Sequence, residues 1–247
     1  MTIQSDNDLA ALRAAGRIAA EALEAMRRAV RPGITTAELD AVAREVLERH
    51  GARSAPEMVY QFPAATCISV NDEVVHGIPG PRALQPGDVV KLDVAIEKNG
   101  YMADTACTVV VEPRSSERRR LASCAKQAFE AALDVARAGQ PINRVGKVVE
   151  ELVRRQGFTV IPHLCGHGIG TTIHEPPEVP NAFDPRHRGL FEEGMVLTIE
   201  PIISAGSSKT VNAGDGWTVK TADRSLAAHF EHTLAITRGR PVVLTAG

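Results

Sequence analysis

Apolar residues recur at every second position through VVKLDVAI, residues 89 to 96, and the β-rich run YMADTACTVVV follows at residues 101 to 111. Val- and Ile-rich stretches of this length read as strands, and Glu97-Lys98-Asn99-Gly100 between them reads as a turn, so a β-hairpin is expected. It carries Asp93 on one arm and Asp104 on the other. A loop centred between Lys98 and Asn99 makes the two direct cross-strand neighbours; a two-residue Asn99-Gly100 turn makes them diagonal on the same face. Either register sets the carboxylates about 4.5–8 Å apart. Two solvated, unrelated charges are the bland alternative, but the residues flanking Asp93 are apolar on both sides and leave no wet face.

A helical period governs other stretches, and one of them occurs twice. Shifted by 106 residues, RPGITTAELDAVAREVLERHGA (31 to 52) falls without gaps on RAGQPINRVGKVVEELVRRQGF (137 to 158), pairing Arg31 with Arg137, Gly33 with Gly139, Val42 with Val148, Glu45 with Glu151, Arg49 with Arg155 and Gly51 with Gly157. Both copies are amphipathic. Thr35 and Glu38 form a capping box for the first, and Gly51 and Gly157 suit the two C-terminal stops. At a shift of 107, PGDVVKLD (86 to 93) meets EGMVLTIE (193 to 200), so Glu200 takes the place of Asp93. The expected architecture is α/β (α+β): two helix-helix-strand halves that meet at their acidic strands in one central cleft.

Further polar residues stand where core is expected. Glu231 opens a terminal strand, FEHTLAIT (230 to 237), and His167 and His174 lie in CGHGIGTTIHEPP, where Gly166, Gly168 and Gly170 disfavour a helix. Pro176 and Pro177 rule out a zinc-binding H-E-x-x-H helix there. An ionised carboxylate in an apolar segment must be paired, hydrogen-bonded or coordinated, so Asp93, Asp104, His167, Glu200 and Glu231 are the candidate ligands of a pair of metal ions. Four carboxylates and one imidazole suit Mn, Fe(II), Co or Zn, and two such ions support amide hydrolysis. With so few ligands for two ions, Asp104 and Glu231 are expected to bridge. His76 closes a short strand at a Gly-Pro turn and has a claim to function; His50, His163, His187, His229 and His232 read as hydrogen-bonded structural residues.

Composition narrows the classes. A chain of 247 residues with 44% hydrophobic content can bury one large core, and residues 1–247 are expected to form a single catalytic domain. A net charge of −2 gives no electrostatic case for nucleic acid or membrane. The basic run Arg118-Arg119-Arg120 starts a helix and is expected to be a solvated face. No stretch resembles a signal peptide or membrane span, and Cys67, Cys107, Cys124 and Cys165 lack C-x-x-C spacing, so a cytoplasmic protein with reduced thiols is expected.

Taken in order, NDEVVHGIP, KLDVAI, GYMADTACT, CGHGIGTTIHEPP, TIEP, DGWTVKTADRS and AHFEHT resemble the type I methionine aminopeptidases, and the resemblance runs from the first helix to Thr245. It implies the pita-bread fold, a pseudo-twofold α/β domain with a curved antiparallel sheet. It implies that Asp93, Asp104 and Glu231 hold one ion and that Asp104, His167, Glu200 and Glu231 hold the other. Also implied are contacts of His76 and His174 with substrate, Glu200 as proton acceptor, and a methionine pocket of Phe62, Cys67 and Trp217. The partners are then N-termini of nascent polypeptides, at the ribosome, with contacts made by the catalytic domain of a monomer. The 25 residues between His174 and Glu200 leave no room for the type II insertion. Three positions depart from the family: Ile173 stands where Phe is frequent, Tyr60 is displaced, and His229 replaces a common Gln.

Rival readings are weaker. Ser123-Cys124-Ala125-Lys126 has the S-x-x-K form of a serine hydrolase, but the partner motifs are absent or reversed in order. A prolidase shares the ligands but normally carries another domain. A silent binding module of this fold loses ligands, and here all five positions are filled.

Overall fold

The computed structural model describes residues 1–113 and 115–246. Strand β1 (Cys67–Val70) pairs with β2 (Val89–Lys98), which turns back into β3 (Tyr101–Val110). Lys98 lies opposite Tyr101, so Asn99-Gly100 is a two-residue turn, and the φ angles of 52° and 87° there are both positive. This is the backbone that strand twist favours in short hairpins, and Asn-Gly adopts it at least steric cost. The diagonal register therefore holds: Asp93 faces Ala106 and Asp104 faces Ala95.

Four further strands complete the site-bearing sheet: β4 (Gly166–Gly168), β5 (Glu175–Val179), β6 (Val196–Ile199) and β7 (Glu231–Ala235). They run β1-β2-β3-β7-β6-β4-β5 across a nine-stranded antiparallel sheet, with the short strands Arg53–Ser54 and Val242–Val243 attached to β2 and β7. Two smaller sheets of three strands flank it; one contains Ala227–His229 and the other Glu73–Val75.

Helices α1 (Asp6–Ala29), α2 (Thr36–Arg49), α3 (Ala55–Tyr60), α4 (Ser116–Leu133) and α5 (Asn143–Arg155) surround these strands. On α1 the buried residues Leu12, Ala15, Ala19, Ala22 and Met26 follow a three-and-four spacing, so one stripe faces inward. Beneath α1 and α2 lie Val90, Leu92, Val94 and Ile96, the even positions of β2. The odd positions, Lys91, Asp93 and Ala95, must then point to the opposite face. The second half repeats the plan, with α4 and α5 sharing a core with Leu197, Ile199 and Leu234. Each fully buried aliphatic side chain of this kind contributes about 1.5–3 kcal/mol.

The repeat survives as conformation. Gly51 and Gly157 have φ of 57° and 83° at the ends of α2 and α5, and Gly87 and Gly194 have φ of 87° and 85° before the acidic strands. Thr35 and Glu38 make the expected capping box, whereas α5 begins after Ile142 with no side-chain cap. One expectation needs correction. Arg118 is half-buried, and its guanidinium donates to the carbonyl of Gly87, so the basic run is only partly a solvated face.

Candidate metal centre

Two rows of side chains cross the face of the sheet opposite the Val90, Leu92, Val94 and Ile96 core. In the first, Cys67 pairs with Asp93, Asp93 with Ala106, and Ala106 with Glu231; the pairing of His232 with Ile199 brings Glu200 level with Glu231. In the second, Ala95 pairs with Asp104 and Thr233 with Thr198; the Asp104 amide donates to Thr233 Oγ1 (2.8 Å) and the His167 amide to Thr198 Oγ1 (3.1 Å). Because side chains on one face repeat every second residue, these registers converge five potential ligands from distant parts of the chain. The small side chain of Ala95 lines the cavity beside these acids.

Among the described residues, ligand atoms of Asp104, His167 and Glu231 lie within 4.8 Å of one another, as do those of Glu200, His229 and Glu231. Asp93 belongs to neither triple, but its carboxyl meets that of Asp104. Burial raises all four acids. Asp104 is pushed up to about 6, and Asp93, Glu200 and Glu231 rise well above the usual carboxylate range, where the neighbouring carboxylates add to the burial. Asp104 Oδ1 and Glu231 Oε1 are buried without a hydrogen-bond partner. Four acids cannot ionise together at such spacing unless positive charge stands among them, so this donor set fits divalent cations.

The histidine is prepared for the same role. His167 Nδ1 lies 3.0 Å from the carbonyl of Gly168, which can only accept, so Nδ1 carries the proton and Nε2 is left with a lone pair 3.5 Å from Glu200 Oε1. Burial lowers its pKa to about 3, which keeps the ring neutral. A side chain at Gly168 would collide with the carbonyl oxygens of Pro176 and Glu175, so only glycine lets β5 pass this close to the ligand.

A cavity of about 290 Å³ opens above the acids. Its apolar wall includes Phe62, Cys67, Ile173 and Trp217; Phe62 and Trp217 meet edge to face with centroids 5.1 Å apart. Burial pushes the Cys67 thiol far up, so Cys67 packs rather than reacts. Ile173 is 3% exposed and does line the wall. His76 and His174 stand at the mouth, where the cavity joins a groove of about 590 Å³ that also touches His167 and Glu200. His76 has φ 58°, a conformation that costs about 1–3 kcal/mol in a residue with a side chain and clusters at functional sites.

Two residues of the cavity were not assigned a role by the sequence. Tyr60 Oη lies 2.7 Å from His174 Nδ1. His229, expected to be a hydrogen-bonded structural residue, has its Nε2 buried with no hydrogen-bond partner, 3.6 Å from Glu200 Oε2 and 3.4 Å from Glu231 Oε2. Its position two residues before Glu231 was the available signal, since residues i and i+2 share a face of extended chain. His232 and His50 do find partners, on Thr245 and Glu21.

Residues 10–238 match metallopeptidase family M24. The chain belongs to this family. It is 45% identical over 247 residues to methionine aminopeptidase 2 of Bacillus subtilis, covering 99% of each chain. The fold superposes with TM-score 0.96 and 33% identity on the crystal structure of methionine aminopeptidase from Thermotoga maritima, over the whole of both chains. The pita-bread architecture that the resemblance implied is thus the observed one. Prolidase from Pyrococcus furiosus shares the fold, with TM-score 0.80 and 22% identity, but this chain spans only 66% of its length. Among the described residues no helix is long and apolar enough to cross a membrane.

Proposed function

We propose that the protein removes the initiator methionine from newly made polypeptides whose second residue is small, by metal-dependent hydrolysis of the first peptide bond. The observation that carries this reading is the meeting of five convergent ligand side chains with one largely apolar pocket in a single cleft. Asp93, Asp104, His167, Glu200 and Glu231 would hold two divalent ions, of Co, Mn, Fe(II) or Zn. When bound, such ions polarise the scissile carbonyl and lower the pKa of water.

The chain's own residues supply the rest. Phe62, Cys67, Ile173 and Trp217 enclose an unbranched apolar side chain and exclude water from it. Tyr60 donates to His174 Nδ1, which leaves Nε2–H to donate to the scissile carbonyl oxygen as negative charge develops there. His76 contacts the amide nitrogen on the leaving side, and Glu200 takes the proton of the attacking water. His76 and His174, at the mouth of the cavity, restrict the second residue of the substrate. Both halves contribute ligands, which supports one catalytic unit spanning residues 1–247. Its setting is the cytoplasm, where it acts as a monomer on N-termini emerging from the ribosome.

Hydrolysis of Met-Ala-Ser beside Ala-Pro-Ser, by protein whose metal content has been measured, tests the reading. Release of methionine alone is expected. Cleavage of the Pro peptide in preference, or turnover undiminished by complete chelation, would overturn it.

A further inference from the structure

We infer that His229 is a sixth ligand side chain, holding a divalent ion through Nε2 together with Glu200 and Glu231. The inference rests on the metallopeptidase reading above and goes beyond the five ligands assigned there. His229 is 2% exposed, and its Nε2 has no hydrogen-bond partner. A buried polar nitrogen in that condition is costly unless something binds it.

The distances say what binds it. Charge-assisted N–H···O contacts run about 2.7–2.9 Å. His229 Nε2 is instead 3.4 Å from Glu231 Oε2 and 3.6 Å from Glu200 Oε2. Metal–ligand bonds of about 2.0–2.1 Å in tetrahedral array put neighbouring donors about 3.3 Å apart, close to these spacings. His167 provides the internal comparison, with Nε2 3.5 Å from the other oxygen of Glu200, Oε1. Glu200 therefore has one imidazole against each carboxylate oxygen, and the two rings are placed alike.

Backbone contacts hold the second ring where it is. The amide of His229 donates to Thr108 Oγ1 at 2.8 Å, Thr108 Oγ1 donates to its carbonyl at 2.7 Å, and the residue pairs with Ile202 across the small sheet. A second neutral nitrogen donor moves an otherwise carboxylate-rich site away from Mn and towards Zn and Co.

The test counts imidazoles coordinated per protein, by X-ray absorption on Zn-saturated wild type and on His229→Gln. Two are expected in the wild type and one in the variant. Competition titration should show the preference for Zn over Mn falling at least about tenfold in His229→Gln. A lost hydrogen bond to a ligand also weakens metal binding, by about 10–100-fold, so the imidazole count decides. One imidazole in the wild type, or an equal count in both proteins, overturns the assignment and makes His229 at most a hydrogen-bond donor. The wild-type count stands even where the variant fails to fold. A wild type that takes up no Zn at all would instead refute the metallopeptidase reading itself.

Discussion

Asp104 is held at two ends, its amide bonded to Thr233 and its carboxyl set between Asp93 and the Glu231 cluster. Burial pushes it up to about 6 from the ordinary 3.8, so in metal-free protein the stability it contributes is complete below about pH 3.8 and is lost as pH rises through about 6. Metal-free Asp104→Asn should therefore melt higher than metal-free wild type at pH 7.5, with the gap closing towards pH 4, yet bind Zn weakly and turn over no substrate. Calorimetry on both proteins checks this; a less stable metal-free variant at pH 7.5 would contradict it. His76→Ala and His174→Ala should lower kcat/KM by about 10²–10³-fold with metal content unchanged. Tyr60→Phe, which loses one hydrogen bond to His174, should cost about tenfold. Nuclear magnetic resonance should show the proton of His174 no longer confined to Nε2, a change that loss of packing alone does not produce. The acids were legible because a carboxylate among β-branched residues has no other stable explanation. Tyr60 and His229 were not, because an aromatic near a turn and a histidine on a strand have many stable settings, and only the neighbours brought by the fold distinguish them.

Strand β4 owes its existence to its neighbours. Gly166-His167-Gly168 has no apolar period, and Glu175-Pro176-Pro177-Glu178-Val179 reads as a turn, so neither β4 nor β5 could be read locally; Thr198 and Leu197 on β6 supply the pairing. The β2–β3 hairpin was legible, but its register was not settled until both turn residues were seen at positive φ. Gly168→Ala should displace β4 from Pro176 and carry His167 with it. Zn affinity should then fall by at least about tenfold, the scale of a misplaced ligand. Gly100→Val acts differently, straining only the turn at φ 87°. It should cost about 1–3 kcal/mol, or roughly 2–12 °C in Tm for a chain of this size. Titration of Zn into both variants separates the two cases, since Gly100→Val should bind normally once folded.

The two halves pair at β3 and β7, and their candidate ligands meet along that seam. Asp93 and Asp104 come from the first hairpin, and His167, Glu200 and Glu231 from the second half. The paired glycines made this doubled plan legible in advance; the row-by-row alignment of ligands across β3, β7, β6 and β4 was not, because it depends on pairings between distant strands. An ion bound at that junction stabilises the folded chain by RT ln(1 + [L]/Kd), about 2.7 kcal/mol at a hundredfold excess over Kd. Chelation should lower Tm by roughly 5–11 °C in wild type and by little in Asp104→Asn, as scanning calorimetry would show. The wide separation of the ligands also bears on biosynthesis. Asp104 and its bonded neighbour Thr233 are 129 residues apart. At about 5–20 residues per second, some 6–26 s of translation separate these two residues. Until Glu231 has been made neither proposed ion has its full set of ligands, so tight metal binding is expected only near the end of synthesis.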